Sequence, residues 1–94
     1  MVFNYAITDP DGYKAYLPAV MPTLASHGVE VLVADYGSDA KEGSPGHVTV
    51  VLRFDSKEAA RGWYESPEYQ AIMHHRTDNA QGISVLCDGF VMPS

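Results

Sequence analysis

The residues that could carry chemistry lie mostly between His47 and Arg76, a stretch with the only tryptophan and three of the four histidines. An arginine can hold an anionic group by a forked pair of hydrogen bonds. A tyrosine offers an apolar ring with a hydroxyl that needs a partner when it is buried. Histidine has an ordinary pKa that suits proton transfer near neutral pH. His75, beside Arg76, is therefore the first side chain to test as a proton acceptor, and no other catalytic residue is predicted.

Arg76 closes an apolar stripe, because Tyr69, Ile72, Met73 and Arg76 are spaced three or four residues apart and fall on one side of a helix. Two interpretations stay open. The arginine can lie over the helix C-terminus with its charge in water or paired to a carboxylate, or it can point into a pocket and bind an anion. Tyr64 and Tyr69 are likewise either core residues or the wall of a pocket.

Metal and cofactor sites have no support in the sequence. His74 and His75 are adjacent, so on a helix they point about 100° apart and cannot easily hold one metal ion. No H-x-x-x-H or C-x-x-C spacing and no glycine-rich phosphate loop occurs. Cys87 is the one cysteine and cannot form an internal disulfide, and its position predicts a small buried residue within a strand. We expect no metal and no cofactor.

Composition narrows the class of protein. The 94 residues, interpreted as a single domain over residues 1–94, carry 6 basic and 12 acidic side chains and a formal net charge of −6. Nucleic acid and anionic membrane attract clustered Lys and Arg, so neither is expected as a partner. No apolar segment approaches the ~20 residues that span a bilayer, and the first residues lack the pattern of a signal peptide. The expected location is cytoplasmic.

Hydrophobic patterning predicts strands over residues 2–8, 29–36, 47–54 and 83–90, and a loop over residues 77–82. A helix should begin at Pro10 after the cap Asp9, and Pro18 and Pro22 predict that it is kinked or split. A second helical region should begin after Asp55 or Ser56 and restart at Ser66. The order β-α-β-β-α-β predicts an α+β, ferredoxin-like fold, with a four-stranded antiparallel sheet and helices on one face.

The middle strands are apolar on both faces. In the second strand Val29, Val31 and Val33 would face one side, and Leu32, Ala34 and Tyr36 the other. Helices cover only one face of the sheet, so the other face must be hidden in another way. A homodimer through the open sheet face does this; the alternative is a monomer with a modest apolar surface. Arg53 on that face would need Glu30 or Asp35, because an unpaired buried charge is costly.

The segment from Val50 to Ala80 resembles the family called domain of unknown function 1330. The motifs that carry the resemblance are Phe54, Ser56, Ala59-Ala60, Trp63-Tyr64, Ser66-Pro67-Glu68-Tyr69 and Arg76, with Asp9, Tyr13 and Tyr16 upstream. The chain departs from the family pattern in three places. His27-Gly28 replaces Gly-Gly, residues 34–37 replace Arg-Gly-Gly, and Arg53 replaces the Glu that often precedes the phenylalanine.

The resemblance implies a branch of the dimeric α/β-barrel group, in which two ferredoxin-like sheets face each other. That group includes cofactor-independent monooxygenases, isomerases and haem proteins, so it does not select one chemistry. We expect a small organic acid or phenol-like ligand between helices and sheet, held by Tyr16, Trp63, Tyr64, Tyr69 and Arg76. Two alternatives stay open: a cofactor-independent isomerase or monooxygenase-like enzyme, and a structural homodimer without a ligand.

Overall fold

Four strands form one antiparallel sheet in the computed structural model, which describes residues 1–90. The strands are β1 Val2–Ile7, β2 Glu30–Asp35, β3 Val48–Arg53 and β4 Ala80–Val85. Their spatial order is β2-β3-β1-β4, and every neighbouring pair is antiparallel. The predicted α+β, ferredoxin-like fold is thereby confirmed. The short tail predicted over residues 91–94 lies outside the described residues.

Each predicted helical region is divided into short segments. They are α1 Pro10–Tyr13 and α2 Tyr16–Ser26 after β1, and α3 Lys57–Tyr64, α4 Pro67–Ile72 and α5 His74–Thr77 after β3. The first division falls at Lys14 and Ala15. Pro18 explains it, because proline has no N–H to bond the carbonyl four residues earlier and its ring crowds that carbonyl. Pro22, by contrast, is held inside α2.

Polar side chains begin three of these helices by accepting backbone N–H groups. Asp9 accepts from Gly12 at 3.3 Å, Ser56 from Ala59 at 3.0 Å and Ser66 from Tyr69 at 3.2 Å. Of the two candidate caps for α3, Ser56 is the cap and the alternative with Asp55 is wrong. These caps fix the entry of each helix and therefore the direction in which its buried residues point.

The last strand begins earlier than predicted. It pairs with β1 from Ala80, opposite Ile7, to Val85, opposite Val2, so the prediction of a loop up to residue 82 and a strand up to residue 90 is wrong. The prediction placed Gly82 in a loop, because glycine usually weakens a strand. Here a Cβ on Gly82 would lie 2.1 Å from the carbonyl oxygen of Asn4, so the close approach of β1 requires glycine. Cys87 follows the strand and is exposed, which corrects the prediction of a buried cysteine.

A bulge in β2 changes which side chains share a face. Val31 lies opposite Leu52 and Val33 opposite Val51, so Leu32 is an extra residue in β2. The predicted alternation would place Val31 on the face opposite Ala34 and Tyr36. Instead these three residues lie on the helix side of the sheet, where they line one depression. Leu32 lies on the other side.

The molecule has two layers, with a smallest extent of 15 Å. Phe3, Tyr5, Val48 and Leu52 point from the sheet into a core shared with the helices. The opposite face carries exposed Leu32, Ile83 and Val85, and no helix of the described residues covers it. No helix within residues 1–90 is long and apolar enough to cross a membrane; the cytoplasmic location stays a prediction.

Candidate functional site

Trp63 is the centre of the core beneath α3, and none of it is exposed. Its ring centroid lies 4.1 Å from that of Tyr69. Its Nε1 donates a hydrogen bond to Oγ1 of Thr23 at 3.0 Å, and that hydroxyl donates to the carbonyl of Val20 at 2.7 Å. The indole therefore fixes α2, α3 and α4 against the sheet with its one polar atom satisfied.

The guanidinium of Arg76 is enclosed by aromatic rings. Its Cζ atom lies 5.1 Å from the ring centroid of Phe3, 5.8 Å from that of Tyr5 and 6.0 Å from that of Tyr16. The residue is 9% exposed and forms no ion pair within residues 1–90. The first interpretation expected the charge to lie in water or beside a carboxylate. The structure shows it in neither place. Ring faces, which attract cations, take the place of the carboxylate.

Two tyrosine hydroxyls complete the surroundings of this charge. Nη2 of Arg76 donates to the hydroxyl of Tyr69 at 3.3 Å, and the hydroxyls of Tyr69 and Tyr16 lie 2.7 Å apart. Burial alone would lower the pKa of Arg76, but the two tyrosine oxygens more than offset this and raise the pKa. The guanidinium is therefore charged at any pH at which the protein is folded.

A groove lies on the other side of these rings, between α1, α2 and the helix side of β2 and β3. We call it the aromatic groove, since six of its lining residues are Phe3, Tyr5, Tyr13, Tyr16, Tyr36 and Trp63. Its mouth is formed by partly exposed side chains, namely Leu17, Met21, Val31 and Tyr36. Its volume is about 60 Å³. Among residues 1–90, no side chain with a formal charge lines it.

Three tyrosine hydroxyls form a chain along the aromatic groove. The hydroxyls of Tyr5 and Tyr13 are 2.5 Å apart, and those of Tyr13 and Tyr36 are 3.0 Å apart. Burial raises the pKa of Tyr5 to about 12 and raises that of Tyr13 further. The two buried phenols are therefore neutral at physiological pH and act as hydrogen-bonding groups.

A second and larger cavity lies at one end of the sheet. This sheet-end cavity has a volume of about 400 Å³ and was not predicted. Its walls include apolar residues of the open face, Val2, Leu32 and Val51, and the segment from residue 86 to residue 89. Charged side chains also line it, and two of them, Lys57 and Asp88, form an ion pair at 3.4 Å.

The residues predicted to hold a ligand fall into two groups. Tyr16 and Trp63 line the aromatic groove. Tyr69 and Arg76 lie behind its wall, since Tyr69 is fully buried and Arg76 contacts the far side of the rings. Tyr64 is half-buried, with its ring centroid 6.2 Å from that of Trp63, and it does not line the groove.

His75 lies away from both cavities. It is half-buried on α5, with its ring centroid 4.1 Å from that of His74, and its carbonyl accepts a hydrogen bond from Asn79 at 2.9 Å. Within residues 1–90 no three His, Cys, Asp or Glu side chains lie close enough together to hold a metal ion.

Sequence reasoning missed several residues of the aromatic groove. Tyr13 could have been found, because it lies three residues before Tyr16 and such a spacing places two side chains on one side of a helix. Leu17 and Met21 could have been found in the same way. Val31 and Tyr36 could not, since the bulge in β2 decides that they share a face.

These features define an α+β protein with a ferredoxin-like sheet, one uncovered sheet face and an aromatic groove between helices and sheet. Residues 1–90 match the model of the family described as Domain of unknown function (DUF1330), and the chain belongs to that family. No match was found among curated proteins.

Proposed function

We propose that the protein binds a small ring-containing molecule, of the organic-acid or phenol type, in the aromatic groove. The composition of the groove supports this proposal. Its walls are apolar and aromatic, and a few tyrosine hydroxyls lie on one side. Small-molecule sites in proteins have this composition, in which apolar walls supply affinity and a few polar groups fix orientation. The partly exposed Leu17 and Met21 give the ligand a way in.

The groove, with its side chains in their present positions, is smaller than one aromatic ring requires. A volume of about 60 Å³ is well below the ~150 Å³ of an engineered apolar cavity that binds benzene. A ring can therefore enter fully only when side chains at the mouth turn outward. Met21 is 53% exposed, and methionine adapts easily because its side chain is unbranched and flexible.

Binding without catalysis is the form of the proposal that the groove supports best. Within the described part of the chain, its lining has no carboxylate, histidine, lysine or cysteine, which are the usual side chains of acid–base and nucleophilic catalysis. Burial raises the pKa values of Tyr5, Tyr13 and Tyr16, so these phenols stay uncharged near neutral pH. The isomerase or monooxygenase alternative would need a reactive group that the groove does not offer.

The ligand proposal predicts that a larger side chain inside the groove abolishes the rise in melting temperature that a ligand causes. Phenol at ten times its dissociation constant should raise the melting temperature of the wild type by about 5–10 °C. Ala34→Leu, which adds three carbons inside the groove, should remove this rise. Ala25→Leu makes the same change at an exposed position of α2 and should keep it. An undiminished rise in Ala34→Leu, or none in the wild type, would reject the proposed site.

We also infer that the open face pairs with a second copy of the chain. Leu32, Val33, Ile83 and Val85 are 54%, 39%, 66% and 48% exposed, and a patch of this kind is typical of an interaction surface. In a twofold dimer the open face of one chain packs against the same face of the other chain. Both faces are then buried, and no further chain can add to them. The sheet-end cavity shares Val2, Leu32 and Val51 with this face, so we do not assign the ligand to it.

Asn4 is a polar residue of the open face whose amide is already hydrogen-bonded within the chain, which supports the burial of this face in a dimer. The amide of Asn4 donates to the carbonyls of Gly46 and Val48 at 3.1 Å and accepts from the N–H of Gly46 at 2.8 Å. Arg53 lies 3.7 Å from Glu30, one of its two predicted partners. Covering this face therefore leaves the amide of Asn4 paired. Light scattering at micromolar concentration should give the mass of a dimer, and a monomer mass would contradict the inference.

A further inference from the structure

The chain of three tyrosine hydroxyls has a direction that follows from counting donors. Each hydroxyl has one proton to donate, and the chain contains two hydrogen bonds. Tyr13 is in the middle and cannot donate to both neighbours. Three arrangements remain, and each leaves one proton without an acceptor in the chain: on Tyr5, on Tyr13 or on Tyr36.

Burial selects among the three arrangements. Tyr5 and Tyr13 are 3% and 5% exposed, whereas Tyr36 is 39% exposed. A buried donor without an acceptor costs about 1–3 kcal/mol. The favoured arrangement therefore has Tyr5 donating to Tyr13 and Tyr13 donating to Tyr36. The remaining proton is that of Tyr36, at the mouth of the aromatic groove.

The position of Tyr36 makes this proton available to a bound molecule. Tyr36 directly follows β2 and lines the groove with Val31 and Ala34, the residues of that strand that the bulge places on the helix side. Because Tyr36 accepts a hydrogen bond from Tyr13, its own hydroxyl is polarised and donates more strongly. A ligand whose ring lies among the apolar walls would reach it with an oxygen at the rim.

The charges around the groove decide which kind of oxygen fits. Arg76 contacts the rings of Phe3, Tyr5 and Tyr16, which line the groove, but it is not itself among the described residues that line it. A carboxylate inside the groove would therefore lose water without gaining an ion pair, which is costly. An uncharged oxygen that accepts one hydrogen bond, such as a ketone oxygen, has no such cost.

We propose that Tyr36 is the specificity-determining donor of the aromatic groove, and that the groove selects uncharged aromatic compounds with a hydrogen-bond-accepting oxygen over aromatic acids. This inference rests on the proposed function, and it narrows the ligand from the organic-acid or phenol type to uncharged ring compounds. Tyr36 acts on the ligand through one hydrogen bond, so its loss should change selectivity rather than abolish binding.

Three probes of similar shape test the inference when their dissociation constants are measured by NMR titration. Acetophenone has the acceptor oxygen, α-methylstyrene has a CH₂ group in its place, and benzoate is charged. In the wild type acetophenone should bind about threefold to tenfold more tightly than α-methylstyrene, the range for one neutral hydrogen bond. Benzoate should bind at least about tenfold more weakly than acetophenone.

Two tyrosine variants test whether the preference for acetophenone comes from the hydroxyl of Tyr36. Tyr36→Phe should reduce the ratio between acetophenone and α-methylstyrene to about one, because the donor is gone. Tyr64→Phe makes the same change in a half-buried tyrosine outside the groove and should leave the ratio unchanged. Both variants lose only an oxygen, and their melting temperatures check that they are folded.

The outcomes separate this inference from the proposed function. If both neutral probes bind equally in the wild type, if Tyr36→Phe keeps the preference, or if benzoate binds most tightly, the role of Tyr36 is wrong while the groove remains a ligand site. If no ring compound binds at all, the proposed function fails and the inference fails with it.

Discussion

The Ile83→Glu variant is expected to be a monomer at concentrations at which the wild type should form the proposed dimer. Ile83 lies on β4 and is 66% exposed, the largest exposed fraction among the apolar residues of the open face. In a twofold dimer each substitution occurs twice in the same interface. A buried carboxylate without a partner costs several kcal/mol, so the dissociation constant should rise by at least about a thousandfold.

Sedimentation or light scattering across a dilution series measures this change. Ala71→Glu adds the same charge at an exposed position of α4, away from the open face, and should leave the dimer intact. Ile83→Met keeps the position apolar and should also remain dimeric. A dimer that survives Ile83→Glu would show that the chains associate through another surface.

Trp63→Ala is expected to cause a large loss of folding stability. The side chain is fully buried, contacts the rings of Phe3, Phe54 and Tyr69, and donates to Thr23. Truncation of a buried aromatic residue typically lowers the free energy of unfolding by about 3–5 kcal/mol. This is a large part of the total for a small domain.

Urea denaturation at one fixed protein concentration measures the loss, because the proposed dimer would make stability depend on concentration. Phe90→Ala is the matched control, since Phe90 is 83% exposed and its truncation should change the free energy of unfolding by less than about 0.5 kcal/mol. Equal losses in the two variants would contradict the central place of Trp63 in the core.

Local signals were sufficient to predict the order of the elements. Asp9 and Ser66 begin helices as predicted, because a side-chain acceptor beside an apolar pattern is a local property of the sequence. The first residue of β4 was predicted wrongly, because Gly82 lies in the strand only where β1 approaches it closely. Such a contact joins residues about eighty positions apart and leaves no local pattern.

The site was only partly predictable for the same reason. Tyr16 and Trp63 were found through the family resemblance, and both line the aromatic groove. Arg76 was predicted either to bind an anion or to reach water. The rings of Phe3 and Tyr5 enclose it instead, and these come from β1, more than seventy residues earlier. The position of Tyr36 in the groove could not be predicted, because it depends on a bulge in β2 that is defined by pairing with β3.

NMR of the methionine methyl groups during a titration with phenol tests the central claim most directly. Met21 lines the aromatic groove and Met1 lines the sheet-end cavity, so the two signals report on the two cavities separately. A ligand in the groove predicts that the Met21 signal shifts and saturates while the Met1 signal stays in place. A saturating shift of Met1 alone, or no saturating shift of either signal, would contradict the account.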